Sequence, residues 1–216
     1  MLSIVIPALN AAATLGPCLA ALGGAGEILV VDGGSADATS AIAEASGARL
    51  IRSPKGRGAQ LAAGAAAARS AWLLFLHADT RLAPGWLDAA ERHMARHPAR
   101  AACFRFRLDA GERRARLIET GVALRVKWLG LPYGDQGLLV PRRLYDEAGG
   151  YRPLALMEDV DLVRRLGRIQ RLGADAITSA ARWRRDGWLR RSARNLLCLA
   201  LYRCGMSVER VARLYG

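Results

Sequence analysis

Through its first hundred residues the chain alternates short, mostly apolar runs with stretches long enough for a helix, and that rhythm commits it to an α/β fold. The runs are Leu2–Ile6, Glu27–Val31, Arg49–Arg52 and Trp72–Leu76, and the spacing predicts helices over Thr14–Leu22, Asp37–Ser46, Gly58–Arg69 and Gly85–His97. Strands that are apolar on both faces belong in a mainly parallel sheet covered by helices on either side. In such a sheet a ligand sits outside the carboxyl ends of the strands. Acids stand there: Asp32 closes Ile28-Leu29-Val30-Val31, and Asp79 follows the run that ends at Leu76. Glu158, Asp159 and Asp161 come later, within Leu156–Leu162.

After Arg100 the rhythm changes. Cys103–Leu108 alternates aromatic and arginine residues, as a strand with one wet face does. Glu112–Trp128 reads as a basic helix, Gly134–Val140 as a strand, and Arg142–Ala148 as a short helix closed by Gly149-Gly150. Ala176–Ser179 reads as the last strand. Helices over Trp188–Arg203 and Ser207–Leu214 follow, broken at Gly205, with Ser207 placed as an N-cap.

At 216 residues a single domain is expected, and 52% hydrophobic content with only 8 prolines argues against disorder. The chain starts directly on a strand-like run with no basic leader, and Leu196–Tyr202 is far shorter than the roughly 20 residues that cross a bilayer, so a cytoplasmic protein is expected. Cys18, Cys103, Cys198 and Cys204 form no C-x-x-C pair and read as reduced thiols. The formal charge of +13 sits mostly in the carboxy-terminal quarter, where thirteen arginines between Arg164 and Arg213 face only Asp175, Asp186 and Glu209. Such a surface suits nucleic acid, anionic lipid or phosphorylated small molecules, and a coding bias toward arginine and alanine accounts for part of it. No recognition-helix, zinc-finger or aromatic RNA-binding pattern accompanies the charge, so nucleic acid is not expected as a partner. On the helix Trp188–Arg203, Arg190, Arg191 and Arg194 beside Leu189 and Leu196–Leu199 suit peripheral contact with an anionic membrane, or packing on the rest of the chain.

Three motifs carry chemistry. In Val31-Asp32-Gly33-Gly34-Ser35-Ala36-Asp37, an acid at a strand end precedes a tight turn, where it can accept hydrogen bonds from ribose hydroxyls or a base. Asp37 fits a helix N-cap equally well. The dinucleotide fingerprint G-x-G-x-x-G is absent after the first strand, where Pro7-Ala8-Leu9-Asn10 stands, which argues against a nicotinamide enzyme. Ser53–Gln60 is a basic, glycine-bearing loop opening a helix; Lys55 and Arg57 make it either an anion site for a diphosphate or a solvated loop. In Leu76-His77-Ala78-Asp79-Thr80, a carboxylate leaving a buried strand calls for a cation, and Mg²⁺ or Mn²⁺ bridging phosphates fits. The alternatives are Asp79 capping the turn before Pro84-Gly85 and His77 as a structural residue.

Taken in order, Ser3–Asn10, Val31–Asp37, His77-Ala78-Asp79 and Glu158-Asp159 resemble the signatures of family 2 glycosyltransferases, over nearly the whole chain. The likeness is greatest to the small, soluble bacterial members called selenodomain-associated. It implies a glycosyltransferase-A fold, an inverting reaction, a nucleotide-diphosphate sugar donor and a divalent metal, Mg²⁺ or Mn²⁺. By the same resemblance Pro7 and Leu9 line the nucleotide pocket, Asp32 grips the nucleoside, and Asp79 is the second acid of the D-x-D metal motif, with His77 in place of the first. Asp135 and Gln136, within Gly134-Asp135-Gln136-Gly137, line the donor-sugar and acceptor side, and Asp159 is the general base, with Glu158 beside it. Thr178–Trp183 partly resembles the Q-x-x-R-W region of processive synthases, with Ser179 in the glutamine position. There Arg182 and Trp183 cover the diphosphate or acceptor, or else are a surface arginine beside a core tryptophan.

Chemistry supports the base assignment, because inverting transfer needs the acceptor hydroxyl deprotonated as it attacks opposite the departing diphosphate. The expected organisation is a nucleotide-binding half over 1–100, an acceptor and catalytic half over 101–185 and terminal helices over 186–216. Asp32, Asp79 and Asp159 are expected to converge on one site. Sugar-phosphate nucleotidyltransferase is the enzyme alternative, although the glycine-rich basic loop it needs after the first strand is missing. The alternative from another class is a basic nucleic-acid-binding protein.

Overall fold

In a computed structural model that describes residues 1–215, the alternation becomes β1 (Leu2–Ala8), α1 (Ala12–Ala20), β2 (Glu27–Asp32), α2 (Thr39–Ala45), β3 (Arg49–Arg52), α3 (Arg57–Ala67) and β4 (Trp72–Phe75). Next come β5 (Thr80–Leu82), α4 (Trp86–Arg96), β6 (Ala102–Leu108), α5 (Arg113–Leu129), a 3-10 turn (Gly134–Gln136), β7 (Leu138–Pro141) and α6 (Arg142–Glu147). The chain then forms α7 (Glu158–Leu166), β8 (Gln170–Thr178), α8 (Ala181–Asp186), α9 (Trp188–Arg203) and α10 (Val208–Tyr215).

One sheet holds all eight strands in the order β3-β2-β1-β4-β7-β6-β8-β5. The first four are mutually parallel, with Pro7 opposite Val31 and Ile4 opposite both Ile28 and Leu74. β7 then enters antiparallel to β4 and to β6, while β6 and β8 run parallel and β5 closes the edge antiparallel to β8. Alternate residues of β1 serve opposite cores: Leu2, Ile4, Ile6 and Ala8 face Leu15, Leu19, Trp86 and Ala90 of α1 and α4, whereas Val5 faces Leu61 and Ala65 of α3. Gly64 is required for that second contact, since a Cβ there collides with Val5 Cγ1. A third core joins α9 and α10 to α7, through Cys198, Leu199 and Val211 against Val160 and Val163. That inner face of α9 packs on the chain itself.

Several expected elements are corrected. Gly134–Gln136 is a 3-10 turn and the strand starts only at Leu138, because Asp159 draws in the Gly134 N–H and Gly137 takes φ 63°. The last strand begins six residues early, at Gln170; its inner face, Leu172, Ala174 and Ala176, is built mostly of small residues that give the alternation little apolar weight, and Asp175 on the outer face pairs across the sheet with Arg105 and Arg107. β5 is too short to have left a periodic signal. Glu158, Asp159 and Asp161 do not end a strand; they form the first turn of α7. Among the described residues the four cysteines are free, and no helix is long and apolar enough to cross a membrane.

Candidate active site

Beyond the carboxyl end of β4 lies a cavity of about 340 Å³. The β4–β5 connection brings His77 and Asp79 to it, the 3-10 turn brings Asp135, and the start of α3 brings Arg57. Glu158 and Asp159 enter from α7, and Arg182 and Trp183 from α8.

The acids of α7 are aimed by one backbone residue. Met157 holds φ 63° and ψ 17°, a left-handed conformation that a long side chain adopts at a cost of about 1–3 kcal/mol, and it turns the chain abruptly into the helix. Glu158, Asp159 and Asp161 then fall in the first turn, where the helix dipole favours negative charge. Glu158, 2% exposed, pairs with Arg57 at 3.3 Å. Asp159 Oδ2 accepts the Gly134 N–H at 2.8 Å and its Oδ1 the Val160 N–H at 2.7 Å. Asp161 turns away to Arg165 at 2.5 Å and Arg152 at 3.3 Å and is structural.

Charge in the cavity is unevenly compensated. Burial pushes the Asp135 carboxyl up to about 6, Asp159 and Asp79 add to the push, and Arg125 opposes it. Its Oδ1 is buried with no hydrogen-bond partner. Burial, reinforced by Asp159, also raises Glu158, against the pull of Arg57. His77 is kept neutral, its pKa lowered by burial and then by Arg57 and Arg182. Its ring sits so near Gly134 that a Cβ there would lie 2.5 Å from Nε2, which explains the glycine. Asp79 Oδ2 is 3.7 Å from the half-exposed Arg182 guanidinium.

The cavity thus gathers Arg57, Asp79, Asp135, Glu158, Asp159, Arg182 and Trp183 of the expected set, together with His77. Pro7, Leu9, Asp32 and Gln136 do not line it. Two of the three aspartates expected to converge, Asp79 and Asp159, share this cavity, and Asp32 lies outside its lining. Asp32 ends β2, two strands away from β4, where the Ser35 N–H (2.9 Å), Ser35 hydroxyl (2.5 Å) and Ser40 hydroxyl (3.1 Å) donate to its carboxylate. Burial raises its pKa, but these bonds outweigh burial and hold it low. Its loop is laced to the end of β1, with the Asn10 N–H donating to Ser35 Oγ at 2.9 Å. Gln136 is 1% exposed and belongs to the core: Nε2 donates to the Phe104 carbonyl at 3.2 Å and Oε1 accepts the Tyr133 N–H. Asp37 is not the N-cap of α2, which is Ala38; it stands one residue earlier and accepts the Thr39 and Ala12 N–H groups, closing the turn and tying it to the start of α1. Trp183 packs on Phe106 at 6.2 Å between ring centroids, as a core residue does, and also lines the cavity.

Sequence reasoning missed Tyr133, Arg191, Asn195 and Tyr215, which complete the wall. Tyr133 is held by the Arg125 guanidinium, 3.4 Å from its ring centroid. The spacing of Arg191 and Asn195, one helical turn apart on α9, was the available signal.

Among the described residues no group of three or more His, Cys, Asp or Glu is arranged to hold a metal ion by itself. Four carboxylates line the cavity; Glu158 is paired with Arg57 and both Asp159 oxygens accept backbone N–H groups, which leaves Asp79 and Asp135, the second with an orphaned oxygen. A hard divalent ion bridging phosphates takes one or two carboxylates and completes its shell with substrate oxygens and water, so this donor set fits one.

Residues 3–154 match the profile of a family described as Glycosyl transferase family 2. No curated protein matches the chain. Among solved structures it is similar to Staphylococcus aureus TarS in complex with UDP-GlcNAc, with a TM-score of 0.63 and 16% identity over 82% of this chain and 58% of that one. It is also similar to Mycobacterium tuberculosis glucosyl-3-phosphoglycerate synthase, in complex with Mn²⁺, UDP and glucosyl-3-phosphoglycerate, with a TM-score of 0.60 and 21% identity over 96% of this chain and 81% of that one. Another structure of that synthase gives 0.64 and 23% with the same coverage. At these identities the structures show a shared glycosyltransferase-A architecture, while the profile match covers well over half the chain. The chain therefore belongs to glycosyl transferase family 2 and is a glycosyltransferase.

Proposed function

We propose that the protein moves a sugar from a nucleoside diphosphate sugar to an acceptor hydroxyl with inversion at the anomeric carbon. The observation that carries this reading is one cavity in which Asp159, fixed by the Gly134 N–H, faces Asp79 and the guanidinium groups of Arg57 and Arg182. Asp159 accepts the hydroxyl proton while the acceptor oxygen attacks the anomeric carbon from the face opposite the diphosphate. The new carbon–oxygen bond forms as the bond to the diphosphate oxygen breaks, and the diphosphate leaves with the electron pair. Arg57 and Arg182 stabilise the charge that develops on it, and Glu158 positions Arg57 through their ion pair.

Asp79, with Asp135, is the pair that would hold a divalent cation such as Mg²⁺ or Mn²⁺. When bound, such an ion neutralises charge on the diphosphate oxygens. Structures of the M. tuberculosis synthase with UDP and either Mn²⁺ or Mg²⁺, and of TarS with UDP-GlcNAc, support a uridine donor and a metal here. The nucleoside is assigned to the side of Pro7, Leu9 and Asp32. There α3 joins the two places, since Arg57 faces the cavity while Gln60 Nε2 donates to the Ala8 and Val31 carbonyls at 2.7 and 2.8 Å. The organisation proposed is a nucleotide half over 1–100, an acceptor half over 101–185 and helices over 186–216 that close the cavity. The outer face of α9, with Leu189, Leu196, Leu197 and Arg190 exposed, is the surface assigned to peripheral contact with an anionic membrane.

The donor to use is the UDP-sugar that raises the melting temperature most in the presence of Mn²⁺. Its slow hydrolysis, with water in the acceptor's place, is followed by proton NMR before the free sugar mutarotates. An α-linked donor releases the β-anomer first if transfer inverts. Initial release of the α-anomer contradicts the proposal.

A further inference from the structure

The cavity wall built by α8 and α9 carries hydrogen-bond donors that nothing in the protein satisfies. Trp183 is 7% exposed and the Arg191 side chain 8%, both line the cavity, and Trp183 Nε1 and Arg191 Nε have no acceptor. The rest of the Arg191 guanidinium is engaged: Nη1 donates to Asp186 at 2.7 Å and Nη2 to the Tyr215 hydroxyl at 3.4 Å, while its carbon lies 4.9 Å from the Trp183 ring centroid. That stacking holds the two free N–H groups on one wall. A buried N–H left without an acceptor costs about 1–3 kcal/mol, so a pair of them marks a place where an acceptor atom arrives from outside.

The charge around them says what kind. Asp186 serves three guanidinium groups at once, Arg185 at 2.8 Å, Arg191 at 2.7 Å and Arg194 at 3.2 Å. Arg182 is set against Asp79 at 3.7 Å and the exposed Arg185 reaches water, but Asp186 is still shared by the buried Arg191 and by Arg194 behind it, so this side of the cavity keeps positive charge. A neutral sugar hydroxyl leaves that charge as it stands. A phosphate or carboxylate offset from the reacting hydroxyl compensates it and fills both orphaned donors, and Asn195 Oδ1, also on this wall without a partner, is free to accept a hydroxyl of the same molecule.

We propose that this wall is the acceptor subsite and that the natural acceptor carries a phosphate or carboxylate group beside the hydroxyl that receives the sugar, bound by Arg191 Nε and Trp183 Nε1. The proposal rests on the glycosyltransfer reading of the cavity, so its test first secures the donor. The protein is saturated with UDP and diamagnetic Mg²⁺, which occupies the diphosphate side, and glycerol 3-phosphate is then titrated while the indole N–H signals are followed by nitrogen-15 NMR. Trp183→Phe, which keeps an aromatic ring and removes Nε1, assigns the resonance. In a parallel arm the UDP-bound protein is sedimented with vesicles containing phosphatidic acid.

Saturable movement of the Trp183 signal by glycerol 3-phosphate but not by glycerol, with at least a tenfold loss of affinity in Arg191→Gln, supports a soluble anionic acceptor. Sedimentation sensitive to Arg191→Gln, with no response to glycerol 3-phosphate, supports the same chemistry on a lipid. If Arg191→Gln does not fold, the same tenfold loss is read in Trp183→Phe by calorimetry. A Trp183 signal unmoved by the anion, with no Arg191-dependent sedimentation, overturns the subsite, as does displacement of UDP by the anion. Failure of UDP itself to bind counts against the donor reading instead.

Discussion

Glu119 and Asp135 are two acids set beside the same strand, β6, and the protein treats them in opposite ways. Glu119 on α5 is 5% exposed, yet both its oxygens are engaged: Leu108 N–H donates at 2.9 Å, Arg107 at 2.7 Å and Arg116 at 2.7 Å. Burial raises its pKa, but those bonds outweigh it and hold the carboxyl below its ordinary range. Asp135 has an oxygen with no partner and is pushed up to about 6. Buried polar groups in folded proteins are nearly always paired, so a complete cluster reads as structure and an incomplete one as a place kept for something else. The contrast separates the cavity from the other buried charges of the chain.

Removing the complete cluster should have the largest effect on stability. Glu119→Ala strands the buried Leu108 N–H while Arg107 and Arg116 reach water, and should cost about 1–3 kcal/mol in chemical denaturation. A loss under about 0.5 kcal/mol would break the comparison. Asp135→Asn should act in the opposite direction. The unfolded chain releases this proton near 3.8 and the folded one near 6, so between those values the folded state binds more protons and stability falls as pH rises. In the metal-free protein the asparagine variant should therefore lack that decline and gain on the order of 1–2 kcal/mol at pH 7.5. Glu119 has the reverse sign: its depressed folded pKa adds stability above the unfolded value, and this is lost as the pH falls through the folded one. The smallest effect belongs to an exposed pair, Arg143 and Glu147, 2.7 Å apart with side chains 90% and 56% exposed. Arg143→Ala should leave the denaturation midpoint unchanged within the error of the measurement.

The parallel half of the fold was legible because β1, β2 and β4 are apolar on both faces and alternate with helices. The later half was not. β8 alternates, but its inward Ala174 and Ala176 are too small to give the pattern weight, and β5 is three residues long and has no periodic signature. At the site, Asp79, Asp159, Arg57 and Trp183 could be anticipated because strand ends, a helix-opening loop and ordered motifs place them. Gln136 was read toward the ligand although its amide serves the core, since a short motif does not encode which way a side chain turns. Arg191, Asn195 and Tyr215 arrive from helices distant in sequence, and their approach depends on the packing of Leu199 and Val211 against α7.

The central claim is that Asp159 takes the acceptor proton in a cavity whose donor-binding parts are separate groups. It is tested by Asp159→Asn, which retains an oxygen for the Gly134 N–H. Turnover of the UDP-sugar and affinity for UDP are measured on the same preparation. The account predicts a fall in turnover of roughly 10²–10⁴-fold with UDP affinity within about twofold of the parent. Unchanged turnover in that variant would contradict it.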